Sequence, residues 1–199
     1  MFTRLLTFTG ATDIDGGVNY LRDEALPILQ AQKGYRGVNA SADRSSGLFT
    51  ILSIWDSEAD RDASESALGK AREEAAKVVG GSASVERFEQ VVQEIVRPPV
   101  PGCSLMVTRV SMDPSSIDDN VAFFKEEAVP QIKAEPGFCA LRNMIDRKTG
   151  EGLIGTVWEN RQSMEAFAAK ADERRAPARA RGIKFGDPSY REILFGEIK

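Results

Sequence analysis

Glu24-Ala25-Leu26-Pro27 and Glu127-Ala128-Val129-Pro130 stand 103 residues apart, and that spacing decides how the rest of the chain is read. The same shift lays Trp158 on Trp55, Gly137 on Gly34, and Asp146-Arg147-x-x-Gly150 on Asp43-Arg44-x-x-Gly47. From Ile14 and Ile117 onward the two stretches align without a gap. Paired landmarks in one register mark a duplicated unit. Between the copies lies Arg97-Pro98-Pro99-Val100-Pro101-Gly102, a semi-rigid linker by composition. The reading is therefore two domains, 1–97 and 105–199, joined by residues 98–104.

Each copy reads β-α-β-β-α-β. The first strand is expected over Phe2–Thr9 and again over Leu105–Met112. Ile14, Val18, Leu21, Ala25 and Ile28 then follow the 4-3-4-3 spacing of one apolar helix face, and Ile117, Val121, Phe124, Ala128 and Ile132 repeat it. Ser115 or Ser116 is a suitable cap for the second of these helices. Pro27 and Pro130 each remove a backbone donor, so both helices should kink or finish there. Strands two and three are expected at 35–42 and 48–55, and at 138–145 and 153–158, around turns of Asp-Arg-x-x-Gly type. A second helix starts near Asp56 and Glu159, interrupted in copy two by Pro177. Strand four covers about 85–96 and 190–199.

This order is the ferredoxin-like one, an α+β arrangement in which two helices cover one face of an antiparallel sheet. Strand three is apolar on both parities, with Phe49 and Ile51 on one and Leu52 and Ile54 on the other. Its second face needs cover, so the two sheets are expected to pack face to face as a pseudo-twofold α/β barrel.

Composition narrows the chemistry. In 199 residues there is no histidine, which removes His-based zinc sites, Ser-His-Asp and Cys-His catalysis, and haem on an axial His. A net charge of −4 lacks the basic footprint of a nucleic-acid binder. No apolar run is long enough to span a membrane, and no signal peptide is evident, so a cytoplasmic location is expected. Two cysteines, Cys103 and Cys139, fit free thiols in a reducing compartment.

The stretches Glu24–Pro27 with Gly34-Tyr35, Glu127–Pro130 with Pro136-Gly137-Phe138, Ile51–Asp56 and Ile154–Glu159 resemble the antibiotic biosynthesis monooxygenase family, of the dimeric α/β-barrel superfamily. The resemblance covers nearly all of both halves. It implies a cofactor-independent monooxygenase acting on a small aromatic molecule such as a phenol, quinol or anthrone, with no cofactor and no metal. The alternative is a non-catalytic, small-molecule-binding or stress-associated α/β-barrel protein. As oligomer, either a monomer with an internal pseudo-dimer or a homodimer is expected. Family members often carry a His or Trp on helix two about nine residues after the strand-three Trp. Here those positions are Ser64 and Phe167. The haem-degrading branch pairs an Asn with the strand-one Arg, whereas this chain has Thr3-Arg4 and Thr108-Arg109, so haem degradation is disfavoured.

Arg4 is the candidate for stabilising a substrate anion. Thr3, Tyr20, Asn39 and Ser64 are candidate polar contacts and Trp55 a candidate wall. Each has a structural alternative. Trp55 and Trp158 suit the core where helix meets sheet. An inward Arg4 needs a partner, for which Glu24 is suitable. Tyr20 and Phe123 sit at the margin of the helix stripe, and Asn39 suits a strand edge. The cluster Arg174, Arg175, Arg179, Arg181 and Lys184 reads as a solvated helix end in preference to an anion site. The Ser64–Phe167 difference suggests a cavity open in copy one and plugged by Phe167 in copy two.

Overall fold

The computed structural model describes residues 1–199. It has the predicted element order twice, with the second helix of each copy divided into two. Copy one contains β1 (Phe2–Thr9), α1 (14–30), β2 (Tyr35–Asp43), β3 (Leu48–Trp55), α2 (Glu58–Ala63), α3 (Glu65–Val79) and β4 (Ser82–Ile95). Copy two contains β5 (Ser104–Ser111), α4 (117–134), β6 (Phe138–Ile145), β7 (Glu151–Trp158), α5 (Arg161–Ala168), α6 (Ala171–Ala180) and β8 (Lys184–Ile198). No helix is long and apolar enough to cross a membrane.

The chain forms two compact units. One is Met1–Arg87 with Glu192–Lys199, and the other is Phe88–Arg191. In the first, β1 pairs with β3 and β3 with β2, all antiparallel, and Glu192–Ile198 of β8 adds to β2. In the second, β5, β7 and β6 pair in that order and Glu89–Ile95 of β4 adds to β6. Each unit thus takes the far end of the other copy's last strand.

The first helix of each copy runs past its proline and ends within about a turn of it, at Gln30 and Ala134. Leu21–Ala25 and Phe124–Ala128 form a single π turn, after which the α-helix resumes through Pro27 and Pro130. A wider turn places the backbone bonds around a residue that has no N–H to give, which is how a proline is tolerated mid-helix. Asp13 caps the first of these helices through Gly16 N at 2.8 Å. In copy two Ser116 holds the cap position of α4 without a side-chain bond to the backbone of the first turn, and Asp113 caps the short 3-10 turn before it, accepting from Ser115 N at 2.8 Å. Pro177 likewise sits inside α6, and the break in that region comes earlier, between Ala168 and Ala171. Gly34 and Gly137 turn the chain into β2 and β6 with φ of 73° and 79°. A Cβ at either would lie 2.6 Å from Asp60 Oδ2 or 2.3 Å from Ser163 Oγ, so the turn requires glycine.

The two cores share a motif. Trp55 is fully buried edge-on to Tyr35, centroids 5.8 Å apart, and its indole Nε1 donates to Ser53 Oγ at 3.0 Å. Trp158 stands edge-on to Phe138 at 5.7 Å and donates to Thr156 Oγ1 at 3.0 Å. Both tryptophans are core residues whose one polar atom is satisfied locally.

The strand ladders correct one sequence equivalence. Phe2 pairs with Trp55 and Ser104 with Trp158, so Arg4 stands opposite Ser53 where Met106 stands opposite Thr156. The structural counterpart of Arg4 is therefore Met106, not Arg109, which is exposed. By the same register, Thr108 corresponds to Leu6. Arg109 stands three residues beyond Met106, an odd shift that puts it on the other face of the strand, and strand one lies just before the gap-free part of the repeat.

Candidate functional site

Between sheet and helices each unit has a void, and the two are very unequal. In copy two a cavity of about 360 Å³ is walled by residues of β5, α4, β6, β7, α5 and α6 and by Ile183 and Phe185. In copy one the equivalent space has shrunk to about 50 Å³. This reverses the expectation of an open first copy.

The reason is an exchange of two side chains. In copy one Arg4 is only 3% exposed and crosses the space to donate from Nη1 to Ser64 Oγ at 3.0 Å and from Nη2 to the Arg61 carbonyl. Its charge is met by Glu65 at 3.0 Å rather than by Glu24. Burial brings the Arg4 pKa down to about 10, against the opposing pull of Glu65, so the side chain stays charged at neutral pH. Ser64 is small because Arg4 occupies the volume before it. In copy two Met106 replaces Arg4 and Phe167 replaces Ser64. Phe167 leans on Trp158, centroids 4.4 Å apart, while the Arg174 guanidinium covers its other face at 3.6 Å. Held this way, the ring forms part of the wall and leaves the interior open.

Of the residues singled out from sequence, the structure brings Arg4 and Ser64 into direct contact and places Tyr20 with Arg4 on the small void. Thr3 and Trp55 are fully buried and Asn39 is half-buried, and none of the three lines either void. Asn39 is displaced by one residue from the position that matters, since the counterpart of Asn143 is Ala40. Phe123, at the margin of its stripe, lines the large cavity.

The residues with chemical potential in that cavity lie elsewhere. Asn143 is 4% exposed, and its Oδ1 accepts no hydrogen bond. Asn120 is held by Ser116 Oγ at 3.1 Å and by Arg181 Nε, which donates to its Oδ1 at 3.1 Å. Arg175 donates from Nη2 to Thr108 Oγ1 at 3.0 Å. Arg174 donates to the Phe167 carbonyl and lies 3.9 Å from Glu135, yet its buried Nη1 has no hydrogen-bond partner. Desolvation holds both arginines below the ordinary guanidinium pKa. The basic cluster is thus not simply a solvated helix end, because two of its members are cavity wall. The signal in the sequence was the pairing of Arg72 with Arg175 while Glu65 aligns with Ala168. The carboxylates on the wall, Glu127 and Glu173, are both exposed. No group of three or more Cys, Asp or Glu is placed to hold a metal ion. Cys103 and Cys139 are buried free thiols.

Taken together, the wall suits a small, mostly apolar molecule that offers a hydrogen-bond donor to Asn143. No family model matches the chain. It is 28% identical over 152 residues to the uncharacterized protein Rv2557 of Mycobacterium tuberculosis, covering 76% of this chain and 68% of that one. It is 26% identical over 171 residues to Rv2558 of the same organism, covering 86% and 71%. A solved structure from Fusobacterium nucleatum superposes with a TM-score of 0.69 at 12% identity, covering 100% of this chain and 94% of that one. An anthrone oxidase-like protein gives 0.67 at 17% identity, covering 99% and 92%. A ferredoxin-fold protein of Listeria monocytogenes related to antibiotic biosynthesis monooxygenases gives 0.53 at 9%, covering 98% and 95%. The chain therefore shares the α+β fold of these structures.

Proposed function

We propose that the copy-two cavity binds a small aromatic molecule of phenol, quinol or anthrone type and that the chain oxygenates it without a cofactor. The observation carrying this reading is Asn143 Oδ1, a buried acceptor with no donor, facing an apolar cavity of about 360 Å³. Leaving such an acceptor unpaired costs about 1–3 kcal/mol, and a phenolic hydroxyl would remove that cost. The volume is at the lower end of ordinary ligand pockets.

For an anthrone, the reaction can run on the substrate's own electrons. Loss of a proton gives an enolate, which passes one electron to oxygen. Recombination of the radical pair at the same carbon, followed by protonation, gives a hydroperoxide, and loss of water leaves the quinone. One oxygen molecule is consumed and one water released per anthrone. Arg174 and Arg175 in a water-poor wall would favour the anion over its neutral form. A second reading, binding without turnover, is favoured by the lack of a buried base among the wall residues.

Oxygen uptake with 1,8-dihydroxyanthrone separates the two. Protein-dependent uptake at one oxygen per anthrone, lowered about tenfold in kcat/KM by Asn143→Leu, is the expected result. Binding of the anthrone with no uptake above the spontaneous rate would overturn catalysis and leave the binder.

A further inference from the structure

In copy one a single carboxylate, Glu65, serves three arginines. It lies 3.0 Å from Arg4 and 3.3 Å from Arg87, and it also pairs with Arg72. In copy two the counterpart of Arg72 is Arg175, which is retained, whereas the counterpart of Glu65 is Ala168. Arg175 lies half-buried on the cavity wall, donates only to the neutral Thr108 hydroxyl, and forms no ion pair. Its neighbour Arg174 has Glu135 only at 3.9 Å. The copy that opened its cavity thus kept the cation and lost the paired carboxylate, leaving Arg175 only the charge of Asp172, which pairs with Arg179 instead.

We propose that the ligand of this cavity carries a permanent anionic group, a carboxylate on an aromatic frame, which takes the place of the missing Glu65 counterpart against Arg175. A guanidinium is suited to this because it presents planar, paired donors to a carboxylate. A transient enolate is a weaker explanation, since the counter-ion is missing in the resting protein and not only during a reaction. Geometry sets the ligand's length. Asn143 pairs with Ile154 and Ile154 with Thr108 across three neighbouring strands, so the two polar positions share one row and one face. Two strand spacings make the separation about 10 Å. The anion and the hydroxyl donor therefore belong at opposite ends of a molecule about two fused rings long.

This inference rests on the cavity-binding reading above, and calorimetric titration with two probes keeps their failures apart. The probes are 6-hydroxy-2-naphthoate and its neutral amide. The carboxylate is expected to bind at least about tenfold tighter than the amide. In Arg175→Met that ratio should fall to about one while amide affinity stays the same, which also shows the variant to be folded. Equal affinities in the unaltered protein would overturn the anion and leave the cavity reading intact. Binding of neither probe would overturn both. A preference that survives in Arg175→Met would overturn the assignment to Arg175. Should that variant fail to fold, salt gives the same answer on the unaltered protein. Raising sodium chloride from about 50 to about 500 mM should weaken carboxylate binding several-fold and leave the amide unaffected. An equal response of both probes would overturn the proposal.

Discussion

Every residue lining the small void of copy one has its structural counterpart in the wall of the large cavity of copy two. The difference between about 50 and about 360 Å³ therefore comes from substitution within one architecture, not from a change of fold. Arg4, Leu6 and Leu68 fill what Met106, Thr108 and Ala171 leave empty. Copy one turned the space into a salt-bridged core, with Arg4 neutralised by Glu65. Copy two kept the apolar frame and left polar groups facing it. A duplicated unit can stabilise one half and keep the other for a ligand, because the two voids are walled by separate residues.

The first way to break this comparison is to attack what the copies share. Trp55→Ala and Trp158→Ala each remove a fully buried indole, and each should cost about 3–5 kcal/mol in urea unfolding. A much smaller cost for Trp158 would mean that the cavity already loosens its side of the core. Next comes exchange of the filling residue. Met106→Arg places the copy-one side chain in copy two and should weaken binding of 6-hydroxy-2-naphthamide by about a hundredfold in calorimetry, through loss of volume alone. Retained affinity would show that the neutral probe binds elsewhere.

A smaller effect is expected from Glu65→Gln. It leaves the buried Arg4 with its serine and carbonyl contacts but without its counter-charge. Glu65 itself is 42% exposed, so the cost should be about 1–2 kcal/mol rather than the larger loss of a fully buried pair. Ala168→Gln, which puts the same residue at the counterpart position and removes no charge, should be near neutral. The smallest effect is the pH dependence of that difference. Burial tends to raise the Glu65 pKa, but the hydrogen bond from Arg72 and the charges of Arg4, Arg72 and Arg87 outweigh it and hold the carboxyl below its ordinary value. A carboxylate depressed in the folded state contributes stability above its unfolded pKa and loses it in acid. The gap between the unaltered protein and Glu65→Gln should therefore be constant at neutral pH and narrow as pH falls below about 4.5. A gap that widened in acid would reverse the assigned sign.

Legibility in the sequence varied with how local the cause was. The repeat, the strand pairs around Asp-Arg-x-x-Gly and the helix stripes are set by period and turn chemistry, and the structure has them within a few residues. The Arg4–Arg109 equivalence failed because strand one precedes the gap-free alignment, and only the ladder to Trp55 and Trp158 fixes its register. The Ser64–Phe167 contrast pointed to a real difference but to the wrong copy. A serine was read as space and a phenylalanine as a plug, when Arg4 fills the first and Trp158 with Arg174 holds the second against the wall. Asn143, Arg174 and Arg175 were weighed from sequence and set aside in favour of a strand edge and a solvated helix end, because a polar residue in a strand and a basic run on a helix are ordinary surface patterns.

By itself the sequence determined that the chain is two copies of β-α-β-β-α-β, because periodicity, glycine turns and paired landmarks are properties of neighbouring residues and of one register. It also determined that none of these 199 residues is a histidine able to serve as base or ligand. Only the tertiary structure decided which copy holds the cavity, what fills the other, and which arginine is left without a paired acid. Those outcomes depend on where side chains from distant strands and helices meet. Volume and charge compensation at such a meeting point, Arg4 with Ser64 and Glu65 against Met106 with Phe167 and Ala168, is a property of the set and not of any one position.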